Sequence, residues 1–314
     1  MLVSKNVLET IGNTSLVELR SVVPAKCARI VVKVEGENPT GSMKDRVALA
    51  MIGRPAADGR LHKGDTVLEY TGGSTGGSLA LVCAAKGYRL RVVTSTAFSE
   101  EKLTQMVAFG AELTLVPSEG GKFTKQLFLN MIATAKEMSR QPNTYWTDQL
   151  NNSDSLEGYI PLGEEIWLQT GGMVDAFVHV VGTSHSLRGV VTALRRHNPT
   201  ITVVAVEPGE SPVLSGGQPG AHNIEGIGIG YTPPMWDPTL VDEVLSVPTA
   251  SAEAMARRLA REEGLFAGTS SGANVIAAIQ LGLRLGPGAT VATLLVDSGL
   301  KYLSTNVFRR HEHA

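Results

Sequence analysis

The sequence predicts an α/β protein in which parallel sheets are covered by helices. Three observations support this: short β-branched runs alternate with longer helical patterns along nearly the whole chain, glycines stand where the helical patterns stop, and glycine-rich turns join strands directly to apolar helices. Parallel neighbours need a crossover connection between them, and the intervening helical segments have the length to supply it.

Taken in order, strands are expected at 30–34, 66–70, 90–94, 112–116, 176–181, 202–206 and 290–296, each dominated by Val, Ile, Leu or Thr. A helix should begin at Val47-Ala48-Leu49-Ala50, and others at 76–86, 100–109, 122–138, 156–169, 187–197, 252–263 and 273–285. Ser99 and Ser251 are the expected N-caps of two of them, because a side-chain oxygen there can accept from an orphan N–H. Gly87, Gly110 and Gly264 fall where left-handed C-terminal caps belong. The stretch 208–238 is rich in glycine and proline and reads as a long loop crossing a site.

Composition narrows the function. With 314 residues, 43% hydrophobic and 18% charged, the chain is globular and long enough for two lobes or one large domain. A formal net charge of -2 provides no basic excess for a phosphate backbone, so nucleic acid is not an expected partner. No apolar run approaches a membrane span or a secretory leader, and the only two cysteines are Cys27 and Cys83, the latter within an apolar segment, so a cytoplasmic, reducing location is expected. The terminal His311-Glu312-His313 reads as a polar chain end, and no metal site is expected.

Candidate chemistry sits in the turns. In Asn38-Pro39-Thr40-Gly41-Ser42-Met43-Lys44-Asp45-Arg46 a lysine closes a glycine turn at the start of an apolar helix. Such a lysine is either a solvated surface charge or, if desolvated, a neutral amine able to condense with an aldehyde. Thr71-Gly72-Gly73-Ser74-Thr75-Gly76-Gly77 and Gly182-Thr183-Ser184-His185-Ser186 each follow a strand and precede a helix. Backbone N–H groups exposed at such a junction make a socket for a carboxylate or a phosphate. Gly268-Thr269-Ser270-Ser271-Gly272 matches the nucleophile elbow of serine hydrolases, with Asp297 and His311 in the required order. Only Leu265-Phe266-Ala267 precedes it where an elbow requires a full strand, so the hydrolase reading is disfavoured. Gly228-Ile229-Gly230 lacks the third glycine of a dinucleotide fingerprint.

In this order the motifs, with Asp297-Ser298-Gly299 and the opening Ile11-Gly12-Asn13-Thr14-Ser15, resemble the fold type II pyridoxal phosphate enzymes, and most nearly the cysteine synthase (O-acetylserine sulfhydrylase) and cystathionine β-synthase family. The resemblance implies two lobes, each a mostly parallel sheet flanked by helices, with the cofactor in the cleft. Residues 1–34 and 151–314 would form the larger, phosphate-binding lobe, and 35–150 a smaller mobile lobe. It implies that Lys44 forms the Schiff base with pyridoxal 5′-phosphate and later shuttles the α-proton. Gly182, Thr183, Ser184, His185 and Ser186 would hold the cofactor phosphate, Ser270 would face the pyridine nitrogen, and Ser74 its ring oxygen. Thr71, Gly72, Gly73, Thr75 and Gln149 would take the substrate carboxylate, with Gly228 near the amine.

The implied reaction is β-replacement on a serine-derived amino acid: acetate leaves O-acetylserine, an aminoacrylate forms, and sulfide or another small nucleophile adds to give cysteine. Desulfhydrase or dehydratase elimination and a cystathionine β-synthase-like condensation are the alternatives; a non-catalytic binding protein would have no need of Lys44. A homodimer and a serine acetyltransferase partner follow from the same resemblance. Two departures stand out: Ser74 replaces the family's usual asparagine, and Ser184-His185 replace two glycines of the phosphate loop. His185 is expected either to face solvent or to add a cationic donor to the phosphate.

Overall fold

A computed structural model describes residues 3–118 and 124–309. The start of the expected 122–138 helix, and His311 and His313, lie outside these residues. The chain divides into two compact units, Met1–Ile11 with Asn38–Gly158, and Gly12–Glu37 with Tyr159–Ala314. Residues 3–11 therefore group with the unit carrying Lys44, whereas the sequence places them in the other lobe.

The first unit is built on four parallel strands in the order β5-β4-β3-β6: β3 (Thr66–Tyr70), β4 (Arg89–Thr94), β5 (Glu112–Leu115) and β6 (Thr144–Trp146). Every residue of β3 is buried, as a strand covered on both faces must be. Its helices are α1 (Lys44–Asp58), α2 (Ser74–Lys86), α3 (Glu100–Ala108), α4 (Lys125–Met138) and the single turn α5 (Asp154–Glu157). Gly87 caps α2 at φ 76°, and Thr124 caps α4 by accepting from the Leu127 N–H at 3.1 Å. Ser99 occupies the N-cap of α3, but its hydroxyl makes no capping bond.

The second unit carries six strands in the order β1-β2-β10-β7-β8-β9: β1 (Leu16–Glu18), β2 (Arg29–Val34), β7 (Ala176–Val180), β8 (Thr202–Pro208), β9 (Glu243–Val247) and β10 (Thr290–Leu295). All neighbours are parallel except β1, which runs antiparallel to β2. Helices α6 (Ile160–Gln169), α7 (His185–His197), α8 (Thr249–Arg258) and α9 (Thr269–Leu285) belong to it, with α9 packed on β10 and β7. The loop expected over 208–238 carries no helix or strand between β8 and the short helical turn Pro238–Leu240.

Three details differ from expectation. The helix expected over 156–169 is broken into α5 and α6, because Pro161 has no N–H to continue a helix through that point and instead opens α6. Ser251 lies inside the first turn of α8 and is not its cap; Pro248, already at φ −65°, precedes the helix. The last expected turns of that helix widen into a π-type turn, Leu259–Glu263, closed by Gly264 at φ 71°. Strands β1, β6 and β9 went unread in the sequence, and each lies at a sheet edge.

The largest buried charge of the second unit is Lys33 on β2, fully buried. Its ammonium meets the Glu165 carboxylate at 2.7 Å and the Gln169 side-chain oxygen at 2.8 Å, and it donates to the Thr14 carbonyl. Removing one partner of a buried pair strands the other charge, so Lys33→Met should destabilise the protein by about 3–5 kcal/mol. The double variant Lys33→Met with Glu165→Met should recover most of that loss. Urea unfolding of the three proteins checks this, and a single variant within 1 kcal/mol of the parent, roughly the ceiling for a surface pair, would contradict it.

Candidate active site

Lys44 opens α1, half-buried, with its backbone N–H donating to Ser42 Oγ at 3.2 Å. The turn before it is built by Asp45, a fully buried carboxylate that accepts from the Thr40 N–H at 2.8 Å and from the Thr40 hydroxyl at 2.5 Å. Gly41 makes the bend at φ 76°, where a side chain would be strained. Thr40 Oγ1 also lies 3.2 Å from Ser78 Oγ on α2, and the Gln105 side-chain amide donates to the Thr40 carbonyl at 3.3 Å. These bonds tie the lysine turn to α2, which the glycine loop at 71–77 opens, and to α3.

In that loop, Gly76 and Gly77 both donate to the Gly73 carbonyl, at 2.9 and 3.4 Å, so the N–H groups of Ser74 and Thr75 lie ahead of the intrahelical ladder. The glycines allow α3 and the segment before it to lie directly on the loop: a Cβ at Gly72 would meet the Phe98 ring at 2.2 Å, and one at Gly73 the Lys102 side chain at 2.7 Å. Gln149 belongs to the same place. Its side-chain amide donates to the Tyr70 carbonyl at 2.9 Å, and its backbone N–H donates to Glu69 at 2.9 Å. Glu69 also receives the Thr147 hydroxyl at 2.7 Å and the Tyr70 N–H at 2.8 Å. Burial pushes its carboxyl up to about 8 even though these hydrogen bonds pull the other way.

In the second unit, β7 runs into Gly182 and Thr183, and α7 begins at His185 behind Ser184. The first ladder bond shown is Arg188 N–H to the Ser184 carbonyl at 3.0 Å, leaving the N–H groups of residues 185–187 ahead of it. Ser184 adopts φ 70°, a left-handed conformation that costs a non-glycine residue about 1–2 kcal/mol. Its buried hydroxyl has no hydrogen-bond partner among the described residues. Gly182 must be glycine, because a Cβ would meet the Gly226 carbonyl oxygen at 2.4 Å. Gly228, at φ 61°, donates to the Val181 carbonyl at 3.4 Å and accepts from His222 Nε2 at 2.9 Å, which brings the 226–230 segment against the socket.

His185 is buried at 1% exposure, with Nδ1 2.9 Å from Thr183 Oγ1, so it does not face solvent. Ser270 is buried in the first turn of α9, and Thr269 beside it has a buried hydroxyl without a partner among the described residues. Residues 265–267 form no strand, only an isolated bridge between Ala267 and Ser298, and Asp297 accepts from the Tyr302 hydroxyl at 2.8 Å, so the hydrolase elbow is absent. Two polar residues that sequence reasoning passed over complete this region: His179 on β7 and Asn274 on α9, both fully buried. The signal for His179 was a lone histidine inside an otherwise apolar strand.

An orphan hydroxyl at a helix start, beside a glycine whose Cβ position is filled by a neighbouring carbonyl, fits an anionic group. Parallel sheets ending in such sockets, with a lysine tied to one of them, are the architecture of an α/β enzyme that works with a phosphorylated cofactor. Residues 7–297 match the family described as pyridoxal-phosphate dependent enzyme, and the chain belongs to that family. It is 41% identical over 305 residues to a cysteine synthase of Staphylococcus aureus, covering 96% of each chain. Among solved structures it superimposes on a cysteine synthase of Entamoeba histolytica with a TM-score of 0.92 at 35% identity, covering 100% of this chain and 93% of that one. It is also similar to a hydrogen sulfide-producing enzyme of Fusobacterium nucleatum, at a TM-score of 0.90 and 32% identity, with 96% and 100% covered.

Proposed function

We propose that this chain is a cysteine synthase, which replaces the acetate of O-acetylserine with sulfide to give cysteine. The observation that carries the reading is that the turn leading to Lys44, at the start of α1, is held through Thr40 to Ser78 in the first turns of α2 and to Gln105 on α3. A reaction at the α-carbon of an amino acid requires an amine and a carboxylate-binding group held together, and this arrangement supports both.

Lys44 is the residue that binds the cofactor covalently, and its freed amine takes the α-proton. The N–H group at Thr75, with Thr71, Gly72, Gly73 and Gln149, orients the substrate carboxylate, and Ser74 faces the cofactor's ring oxygen. Gly182, Thr183, Ser184, His185 and Ser186 hold the cofactor phosphate, Ser270 faces the ring nitrogen, and Gly228 lies near the substrate amine. When bound, pyridoxal phosphate supplies the electron sink for loss of the α-proton, a weaker one with a serine than with a carboxylate at its nitrogen. A homodimer, a cytoplasmic setting and a serine acetyltransferase partner accompany this reading by family resemblance. Among the described residues no helix is long and apolar enough to cross a membrane.

β-Elimination from cysteine is the second reading, favoured by Ser74, whose short hydroxyl stands where the family carries asparagine. The purified protein supplied with O-acetylserine and sulfide should form cysteine, and with cysteine alone should release little pyruvate. Pyruvate and sulfide as main products from cysteine would replace the first reading with the second. Absence of turnover with both substrates would refute both.

A further inference from the structure

His179 is the only polar side chain of β7, and the strand is buried throughout. Its ring is engaged at both nitrogens: Nε2 lies 2.8 Å from Ser186 Oγ, and Nδ1 lies 3.4 Å from Asn274 Nδ2. A neutral imidazole donates from one nitrogen and accepts at the other, so which nitrogen carries the proton decides what Ser186 can do.

Asn274 decides it. One end of its side chain receives the Val180 N–H at 2.7 Å and must be the carbonyl oxygen. The other end meets the Leu294 carbonyl at 2.8 Å and must be the amide nitrogen. That nitrogen has two hydrogens and accepts nothing. One hydrogen goes to Leu294, and the second is directed at His179 Nδ1, which must therefore accept. The imidazole proton is left on Nε2 and is donated to Ser186 Oγ. With its acceptor role taken, the Ser186 hydroxyl must send its own hydrogen elsewhere, and no acceptor for it is found among the described residues. The neighbouring start of α7 presents N–H groups, which are donors only.

We propose that Asn274 and His179 are positioning residues that fix Ser186 as a committed hydrogen-bond donor to the phosphate of the cofactor. Because Asn274 lies on α9, one helical turn beyond Ser270, the relay couples the phosphate grip to the helix that faces the cofactor ring. The inference rests on the phosphate assignment made under the proposed function. It explains why a histidine is held in a fully buried strand where an aliphatic residue would pack without needing partners.

Two measurements test it. In the histidine-¹⁵N-labelled, unmodified holoenzyme, the His179 ring, identified by its nuclear Overhauser contacts to Phe177, should show the Nε2–H tautomer; an Nδ1–H tautomer or an imidazolium would overturn the relay. Binding of pyridoxal 5′-phosphate and of pyridoxal, which lacks the phosphate, is then compared in His179→Ala, Ser186→Ala and the double variant. His179→Ala should weaken pyridoxal phosphate about tenfold, the scale of a charge-assisted hydrogen bond, leave pyridoxal unchanged, and add nothing to Ser186→Ala. Equal weakening of both ligands, or additive losses, would make His179 merely structural. An unmodified protein that binds pyridoxal no worse than its phosphate would remove the phosphate assignment itself, a result distinct from either. If the variants do not fold, the tautomer of the unmodified protein still decides the relay.

Discussion

Lys44→Ala is expected to lower kcat/KM by about 10³-fold or more and to abolish the visible absorbance of the protein–cofactor linkage, with the fold intact. The substitution removes the one amine at the start of α1. The Lys44 contact to Ser42 is made by its backbone N–H, which alanine keeps, and the bend is held by Asp45 and Thr40. Alanine is also a better helix former than lysine, so α1 should not fray. The experiment compares turnover, the absorption spectrum and the thermal midpoint of parent and variant. Retained colour and activity would dismiss Lys44 as the cofactor-binding residue; a collapse of the thermal midpoint would show that its role is structural.

Glu69 should make stability fall as pH rises from about 4.5 to about 8, the interval between its ordinary value and its value in the fold. The sign follows from proton binding. Below that interval both folded and unfolded chains carry the proton and the contribution is complete. Within it the unfolded chain has lost the proton while the fold retains it, so each pH unit costs up to about 1.4 kcal/mol; above it both are ionised and the slope ends. Glu69→Gln abolishes this slope at a fixed cost, because an amide cannot accept from Tyr70, Gln149 and Thr147 together. Unfolding free energies at pH 5 and pH 8 should therefore differ less in the variant than in the parent, by on the order of a few kcal/mol. Identical pH dependences would show that Glu69 remains ionised in the fold. The Gln149 N–H hangs on the same carboxyl, so the variant should also raise the KM for O-acetylserine.

The buried strands were legible because they are continuous apolar runs: β3, β7 and β10 are buried along their whole length. The three unread strands are edges with half-buried residues, and β1 and β6 have only three residues each. Nothing in Leu16-Val17-Glu18 distinguishes it from a loop until β2 pairs with it. Helix interiors were legible from their 3.6-residue apolar pattern, whereas the break before α6 and the start of α8 are decided by Pro161 and Pro248.

The glycine turns were legible as strand-to-helix junctions, because glycine marks such turns locally in the chain. From residue order alone came the parallel α/β architecture, the lysine turn and the two glycine turns that open α2 and α7. Tertiary structure alone decided that His185 is buried, that Gln149 hangs from Glu69, and that Asn274 sets the tautomer of a histidine on another element. The physical reason is range. Propensity, capping and turn geometry act over a few residues and are written locally in the chain. A proton's position on His179 depends on atoms 95 residues away in sequence that only packing brings within hydrogen-bond distance.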